Sequence, residues 1–142
     1  DSKFTMRVNP YWYKDNHNIL QINGADLAFL DSIQEAAGVV LSEDTTAVQN
    51  DLDTYYTKVA QRLQGTYTDI IISHKTNWML NGRSAIAFDF STLVEGIETS
   101  FYYVIIGTPN KIYSVVFWTS TGAFEQRKLE FIRMICNINI TD

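Results

Sequence analysis

The stretch of the chain that decides the fold covers residues 77–120 and reads NWMLNGRSAIAFDFSTLVEGIETSFYYVIIGTPNKIYSVVFWTS. Its aromatic and β-branched residues favour strands. It is interrupted by short connections that contain glycine: Asn81-Gly82, Glu95-Gly96 and Gly107-Thr-Pro-Asn110. Because short connections join neighbouring strands as hairpins, we predict antiparallel pairing here. Together with the preceding segment, the predicted strands cover about residues 67–77, 83–92, 97–106 and 112–119.

The middle strands of this stretch are apolar on both sides. One side of the third predicted strand carries Phe101 and Ile105, and the other carries Tyr102 and Val104. Strands with this pattern lie centrally in a sheet and are covered on both faces. We therefore expect a layer of structure on each side of the sheet.

The segment before these strands has the period of a helix, over about residues 47–64. Thr46 and Gln49 have the spacing of a capping box, and Gly65 suits the position after the last turn. A second helix is predicted over about residues 122–138. Its apolar stripe includes Lys128, whose charged head we expect to reach water. Glu130 and Arg133 have the spacing of an ion pair.

The front of the chain predicts short strands and one aromatic loop. Strands are expected over residues 4–8 and 19–22, followed by a hairpin of residues 27–30 and 39–41 with residues 34–38 as its loop. A short helix over residues 31–37 is the alternative to that hairpin. Tyr11, Trp12 and Tyr13 follow Pro10 and are expected to form a loop.

Size and composition set the class of protein. We expect 142 residues to form a single domain over residues 1–142, with an apolar content of 46% that is ordinary for a globular chain. The net charge of −5 disfavours nucleic acid and anionic membranes as partners. There is no apolar run of about 18 residues that would span a bilayer. The first residue is not Met, so we expect either a processed product, from which a leader or lipid-anchored segment was removed, or a segment cut from a longer chain.

The order of motifs resembles a known family. The turn Leu80-Asn81-Gly82-Arg83 is followed by the alternating strand Ala85-Ile-Ala-Phe-Asp-Phe90. A long aromatic strand and then Lys111-Ile-Tyr-Ser-Val-Val-Phe-Trp118 come next, and a helix beginning near Ala123 closes the pattern. Over about residues 70–138 this is similar to the photosystem II extrinsic protein PsbP and its relatives. That superfamily includes bacterial DcrB-type lipoproteins and Ran-binding Mog-type proteins.

The resemblance implies an α+β fold: an α/β/α sandwich around a largely antiparallel sheet of about six to seven strands, with one central helix and one C-terminal helix. It also implies a non-enzymatic module without a cofactor. Most bacterial relatives are secreted or lipid-anchored, so the expected location is outside the cytoplasm. The expected partner is a protein or a weakly bound small ligand. A shared fold does not transfer a specific role.

Candidate metal ligands and catalytic acids are scattered. His17 and His74 have no ligand spacing, and we expect both to face solvent. Acidic residues near the first helix lack the EF-hand pattern, so favourable contact with the helix N-terminus explains them. Asp89, Glu95 and Glu98 could form paired acids for glycoside chemistry, but turn-flanking acids are usually solvated.

The single cysteine and the glycines carry no chemical motif. Cys136 lies beside the apolar stripe of the second helix, where we expect inert packing. The glycines are scattered at turns, and the chain has neither a nucleophile elbow nor a phosphate loop.

The aromatic residues are the best binding candidates. Tyr11, Trp12, Tyr13 and Trp78 are expected in a loop or at a strand end. Exposed aromatic side chains in such places often mark a contact surface. The alternative is that they close the ends of the core.

Two other functions remain open from the sequence. One is a carrier or enzyme of the cone-shaped cystatin or NTF2 type, with an apolar pocket that would hold Asp89 or His74. The other is an accessory domain of a larger protein.

Overall fold

The computed structural model of the protein describes residues 3–16, 20, 22, 24–33, 35–44 and 51–141. Ten strands and two helices are present in these ranges. In chain order they are β1 (Lys3–Thr5), β2 (Trp12–Lys14), β3 (Leu27–Asp31), β4 (Ala36–Asp44), α1 (Leu52–Thr66), β5 (Ile71–Ile72), β6 (Thr76–Leu80), β7 (Arg83–Val94), β8 (Ile97–Gly107), β9 (Lys111–Ser120), α2 (Thr121–Cys136) and β10 (Asn139–Thr141).

The main sheet has eight strands in the described part of the chain, in the order β2-β3-β4-β9-β8-β7-β5, with β6 also paired to β7. Every strand pairing that the structure describes is antiparallel. β1 and β10 form a separate two-stranded sheet. The main sheet is therefore slightly wider than the six to seven strands expected from the sequence.

Alternation along the strands creates two apolar faces, each covered by one helix. On the α1 face, Phe88 and Ile105 pack against Tyr55 and Val59 of α1. On the α2 face, a larger core cluster joins strand residues such as Val104 to Phe131 of α2. β10 also covers this face through Ile140. This confirms the predicted α/β/α sandwich. The cone alternative is wrong, because α2 follows β9 and covers the second face.

Two hairpin turns are as the sequence predicts. Asn81 and Gly82 have φ values of 48° and 78°, and Glu95 and Gly96 have 52° and 81°. Positive φ at both central residues defines the type I′ turn, whose twist matches that of paired strands. Glycine at the second position adopts this conformation without steric cost.

The front of the chain differs from the sequence prediction in three places. The first strand ends at Thr5, and Trp12–Lys14 forms strand β2 rather than a loop. The hairpin of β3 and β4 is confirmed, with Leu27 opposite Val40, so the helix expected as its alternative is wrong. Its second strand, however, begins at Ala36 rather than at residue 39, so the predicted loop over residues 34–38 is too long. The strand predicted over residues 19–22 lies partly outside the described residues.

Helix α1 is shorter at its start than predicted. Asp51 has an extended backbone and is the N-cap, since its side chain accepts hydrogen bonds from the backbone N–H groups of Asp53 and Thr54. A start near residue 47 is therefore wrong, while the capping box of Thr46 and Gln49 falls outside the described residues. Gly65 lies inside the last turn of the helix, and Tyr67 follows in an extended conformation.

The region between α1 and the long hairpins is not one continuous strand. The predicted strand over residues 67–77 is replaced by β5 and β6, which pair with different parts of β7. Between them, Ser73 donates its backbone N–H to the carbonyl oxygen of Asp89 at 2.9 Å. Helix α2 agrees with its prediction to within two residues.

One glycine is required by packing inside the sheet. Gly38 of β4 lies directly opposite Phe117 of β9. A Cβ atom added to Gly38 would come 2.6 Å from the Phe117 ring. The ring therefore occupies the space of the missing side chain, and it stacks on Phe131 with centroids 5.1 Å apart.

Candidate functional site

The candidate site lies where the N-terminal segment and β2 meet helix α2, and Glu130 is at its centre. One oxygen of Glu130, Oε2, accepts hydrogen bonds from Trp12 Nε1 at 2.7 Å, from Asn9 Nδ2 at 2.9 Å and from the Tyr11 hydroxyl. The other oxygen, Oε1, accepts a hydrogen bond from Arg127 Nε at 2.7 Å. Glu130 thus ties residues 9–12 to α2.

Arg127 extends this network to a buried carboxylate. Its Nη2 donates to Asp31 Oδ2 at 2.8 Å, and the Asp31 side chain is fully buried. Asp31 Oδ1 accepts the backbone N–H groups of Glu35 and Ala36 at 2.9 and 3.4 Å. Because the charge of Asp31 is paired and hydrogen-bonded, its burial is tolerated.

Local backbone structure places the three aromatic residues on different sides. The backbone N–H of Trp12 donates to the carbonyl oxygen of Asn9 at 2.9 Å. The backbone N–H of Ser32 donates to the carbonyl oxygen of Tyr11 at 2.7 Å. Along β2, side chains alternate between the faces of the sheet. Trp12 therefore points to the α2 face, and Tyr13 points to the α1 face.

The burial of the aromatic residues follows from this geometry. Trp12 is 5% exposed and packs edge-on against Phe117, with centroids 5.6 Å apart. Tyr11 and Tyr13 are 47% and 38% exposed. β2 is the first strand in the order of the main sheet, so both tyrosines lie at its outer edge. They remain candidates for contact, while Trp12 is a buried support.

The network changes the acidity of its members. Burial by itself raises the pKa of Glu130, but hydrogen bonds from Tyr11, Arg127, Trp12 and Asn9 outweigh it and lower that pKa to about 2. The hydrogen bond to Glu130 in turn raises the pKa of Tyr11 above its usual value. At neutral pH these hydrogen bonds therefore favour the ionised form of Glu130 and the neutral form of Tyr11.

We expect this network to make stability depend on acid pH. The pKa of Glu130 is about 2 in the folded chain against 4.5 unperturbed, a difference that corresponds to about 3 kcal/mol. Because the folded pKa is depressed, this stabilisation is present above pH 4.5 and is lost as pH falls towards 2. Urea unfolding at pH 7, 5, 4, 3 and 2 measures it.

The matched variant for this experiment is Glu130→Gln, which does not titrate at this position. Its stability should be lower than that of the native chain at pH 7, and the difference should shrink between pH 5 and pH 2. A difference that stays constant over this interval would contradict the role of Glu130.

The structure separates Trp78 from the other aromatic candidates. Trp78 lies in β6 and pairs with Ala85 of β7, so β7, β8, β9, β4 and β3 stand between it and β2. It is half-buried, and its ring lies 6.1 Å from that of Tyr102. The four residues therefore do not form one surface.

The other charged candidates do not assemble into a catalytic pair. Lys128 Nζ donates to Asp89 Oδ2 at 3.2 Å and lies over the rings of Tyr102 and Phe124. The charged head of Lys128 is thus engaged with the sheet rather than directed to water alone. Glu95 lies in a turn, and Glu98 is exposed.

The histidines and the cysteine add no site within the described residues. His74 is exposed, and His17 lies outside the described ranges. Among the described residues, no group of three or more His, Cys, Asp and Glu side chains is placed to hold a metal ion. Cys136 is exposed, so its expected burial is wrong.

The ion pair of α2 also differs from the sequence prediction. Glu130 pairs with Arg127, one turn earlier, and not with Arg133. Helical spacing allows either partner, and Arg127 lies on the side that faces Asp31. The role of Asp31 was missed because its partner lies 96 positions away in the chain. A charged residue ending the apolar strand Leu27–Asp31 was the available signal.

Comparisons with solved structures show the fold at low sequence identity. LpqN of Mycobacterium tuberculosis, described as involved in cell envelope biogenesis, has a TM-score of 0.71 and 12% identity over 100% of this chain and 85% of its own. Cyanobacterial PsbP from Synechocystis sp. PCC 6803 has a TM-score of 0.62 and 11% identity, over 97% and 92%.

A protein from Bacteroides thetaiotaomicron has a TM-score of 0.63 and 12% identity over 98% of this chain, which spans only 45% of that protein. No protein-family model and no curated protein matches the sequence. The chain therefore has a PsbP-like fold, and identities this low show the fold alone.

A helix that spans a bilayer needs about 20 predominantly apolar residues. Within the described part of the chain, neither α1 nor α2 is long and apolar enough to cross a membrane.

Proposed function

We propose that this chain, which has a PsbP-like fold, is a non-catalytic binding or assembly module that acts outside the cytoplasm. It contacts a protein partner through the edge of β2. Tyr11 and Tyr13 make the contact, and buried Trp12 holds the edge in place. Trp78, at the opposite side of the sheet, is a separate and weaker contact.

The observation that carries this proposal is the way Glu130 holds Tyr11. Four donors converge on one carboxylate and fix residues 9–12 at the start of the edge strand β2, where Tyr11 and Tyr13 are 47% and 38% exposed. A tyrosine held in one conformation loses little entropy on binding, and aromatic residues are enriched at protein interfaces. An edge strand also has backbone groups that can pair with a partner.

The proposal is tested by site-specific photocrosslinking of the full-length protein in its own cell. A photoreactive phenylalanine analogue replaces Tyr13, and in a matched control it replaces Leu129, which is 55% exposed on α2. We expect a partner protein to be captured from position 13 and not from position 129. Equal capture at both positions would contradict the site.

The captured partner is then purified and its affinity measured. The double variant Tyr11→Ala/Tyr13→Ala should weaken binding by about tenfold or more, since interface tyrosines often contribute over 1 kcal/mol each. Leu129→Ala should leave the affinity unchanged. An unchanged affinity in the tyrosine variant would overturn the proposal.

The location is tested separately by fractionating cells that express the full-length gene. LpqN is described as involved in cell envelope biogenesis, and this supports a location outside the cytoplasm here. We expect the protein in the extracytoplasmic or envelope fraction. Recovery with cytoplasmic markers would refute the location without deciding the binding site.

A further inference from the structure

A second surface lies at the edge of the sheet opposite to β2. It is a groove of about 430 Å³, open to solvent, between β5, the end of β7 and the start of α2. Ile71 and Leu93 form its apolar wall, and they are 75% and 48% exposed. Two large apolar side chains so exposed beside each other indicate a contact surface rather than scattered surface residues.

The strand register places these side chains on one face. Ile71 lies directly opposite Ser91, and Leu93 follows two positions later on β7. Ser91 Oγ is 2.7 Å from Ser100 Oγ, which is 3.0 Å from Thr121 Oγ1 at the start of α2. Ile71 and Leu93 are therefore both on the α2 face, next to the helix end.

The backbone of β7 is open at the groove. Asp89 directs its N–H and C=O outward, to Ser73. Outward groups recur at every second residue of an antiparallel strand, so those of Leu93 point the same way. β5 pairs only with Phe90 and Ser91, and the chain bends at residues 68–69. Within the described residues, no hydrogen bond reaches these outward groups of Leu93.

The rim of the groove is negatively charged. Asp69 borders it before β5, and Glu98 lies opposite Leu93 on β8. Both side chains are exposed, and neither has an ion-pair partner among the described residues. No lysine or arginine of the described chain lines the groove. A ligand with positive charge would therefore meet unopposed carboxylates.

We propose that this groove binds an extended, positively charged peptide segment, which adds to the sheet as a short strand beside Leu93. The outward backbone groups of Leu93 pair with the segment, an apolar side chain of the segment packs on Ile71 and Leu93, and its lysine or arginine residues face Asp69 and Glu98. This mode combines backbone pairing for affinity with side-chain pockets for specificity.

A second copy of the chain is a poorer occupant. A two-fold interface at this edge brings the same patch of both copies together. Asp69 and Glu98 of one copy would then face those of the other, and like charges across an interface are unfavourable. The positive segment therefore belongs to a different molecule. This surface is separate from the β2 edge, so a result that refutes one of the two proposed sites does not refute the other.

The test is an NMR titration of the isotope-labelled chain with two capped peptides. One has lysine and valine in turn at every second position, with threonine between them, so that lysine and valine face the same side of a strand. The other has glutamate in place of each lysine. We expect the lysine peptide to shift the amide signal of Leu93 and slow its hydrogen exchange, with no such change from the glutamate peptide. Signals that move mainly at β2, or equal effects of both peptides, would overturn the proposal.

Two charge-reversal variants separate local from overall electrostatics. Asp69→Lys/Glu98→Lys changes the rim, and Glu43→Lys/Asp44→Lys makes the same change of net charge at the exposed end of β4. The rim variant should bind the lysine peptide about tenfold more weakly or worse, and the control should change it by less than about threefold. Equal weakening in both would show non-specific attraction and refute the site.

Two further measurements examine the occupant. A lysine–valine peptide with methylated backbone nitrogens should lose binding, because it cannot donate to the edge of β7. In sedimentation experiments without peptide, we expect the chain not to form a dimer through this edge. Undiminished binding of the methylated peptide, or a dimer abolished by Leu93→Asp, would overturn the proposed mode.

Discussion

Replacing Arg127 by methionine is expected to lower the free energy of unfolding by about 3–5 kcal/mol. Methionine retains the apolar stem but removes the donor to Asp31, whose side chain is fully buried. An uncompensated carboxylate would then remain in the interior. Urea or guanidinium unfolding at pH 7 measures this loss, with circular dichroism to confirm that the variant folds.

The control for this substitution is Arg133→Met on the same helix. Arg133 is exposed and has no carboxylate partner among the described residues, so its loss should cost less than about 0.5 kcal/mol. The double variant Asp31→Asn/Arg127→Met should recover part of the stability, since asparagine is neutral and can still accept the backbone N–H groups. A loss below about 1 kcal/mol for Arg127→Met would contradict the importance of the pair.

Truncating Phe131 to alanine is expected to cost about 3–5 kcal/mol by opening a cavity under α2. Phe131 is fully buried. Its ring stacks on Phe117 with an interplanar angle of 9° and lies 6.3 Å from the ring of Trp12. Because Phe117 also fills the space beside Gly38, neither ring can easily move to close the gap. Thermal and chemical unfolding measure the effect.

Two substitutions calibrate this result. Phe131→Leu retains most of the apolar contact and should cost less than half as much. Leu129→Ala removes an exposed side chain two positions earlier and should change stability by no more than about 0.5 kcal/mol. If Phe131→Ala resembled Leu129→Ala, the stacked rings would not be part of the stabilising core.

Both substitutions also connect stability to the proposed contact surface. Trp12 packs edge-on against both Phe117 and Phe131, and its indole N–H donates to Glu130. A loosened α2 would therefore release the edge that bears Tyr11 and Tyr13. Partner binding should weaken in Phe131→Ala even though residue 131 contacts no partner.

Much of the fold was predictable, and the errors share a physical cause. The long hairpins and α2 were predicted closely because their signals are local: strand composition, glycine turns and helical period. The start of α1 was wrong because several residues can cap a helix, and the period alone does not choose Asp51. The strand over residues 67–77 divided because β5 and β6 pair with different parts of β7.

The candidate site was predictable only in part. Tyr11 and Tyr13 are exposed near the position expected, whereas Trp12 is buried because β2 joins the sheet under α2. Asp89 among apolar strand residues and Lys128 in an apolar helical stripe were a pair of related signals. The sequence could not show that these two charged residues are partners, and the structure shows the hydrogen bond between them.

The sequence by itself determined the elements of this protein: which residues form the long strands, where the type I′ turns lie, and that two helices cover a sheet. These features depend on φ preferences and on side-chain period over a few residues. Only the tertiary structure decided which charges meet. Glu130 binds residues about 120 positions earlier, and the groove at Leu93 exists because the chain bends at residues 68–69 and β5 begins only at Ile71. Such contacts depend on packing between distant segments, which no local pattern encodes.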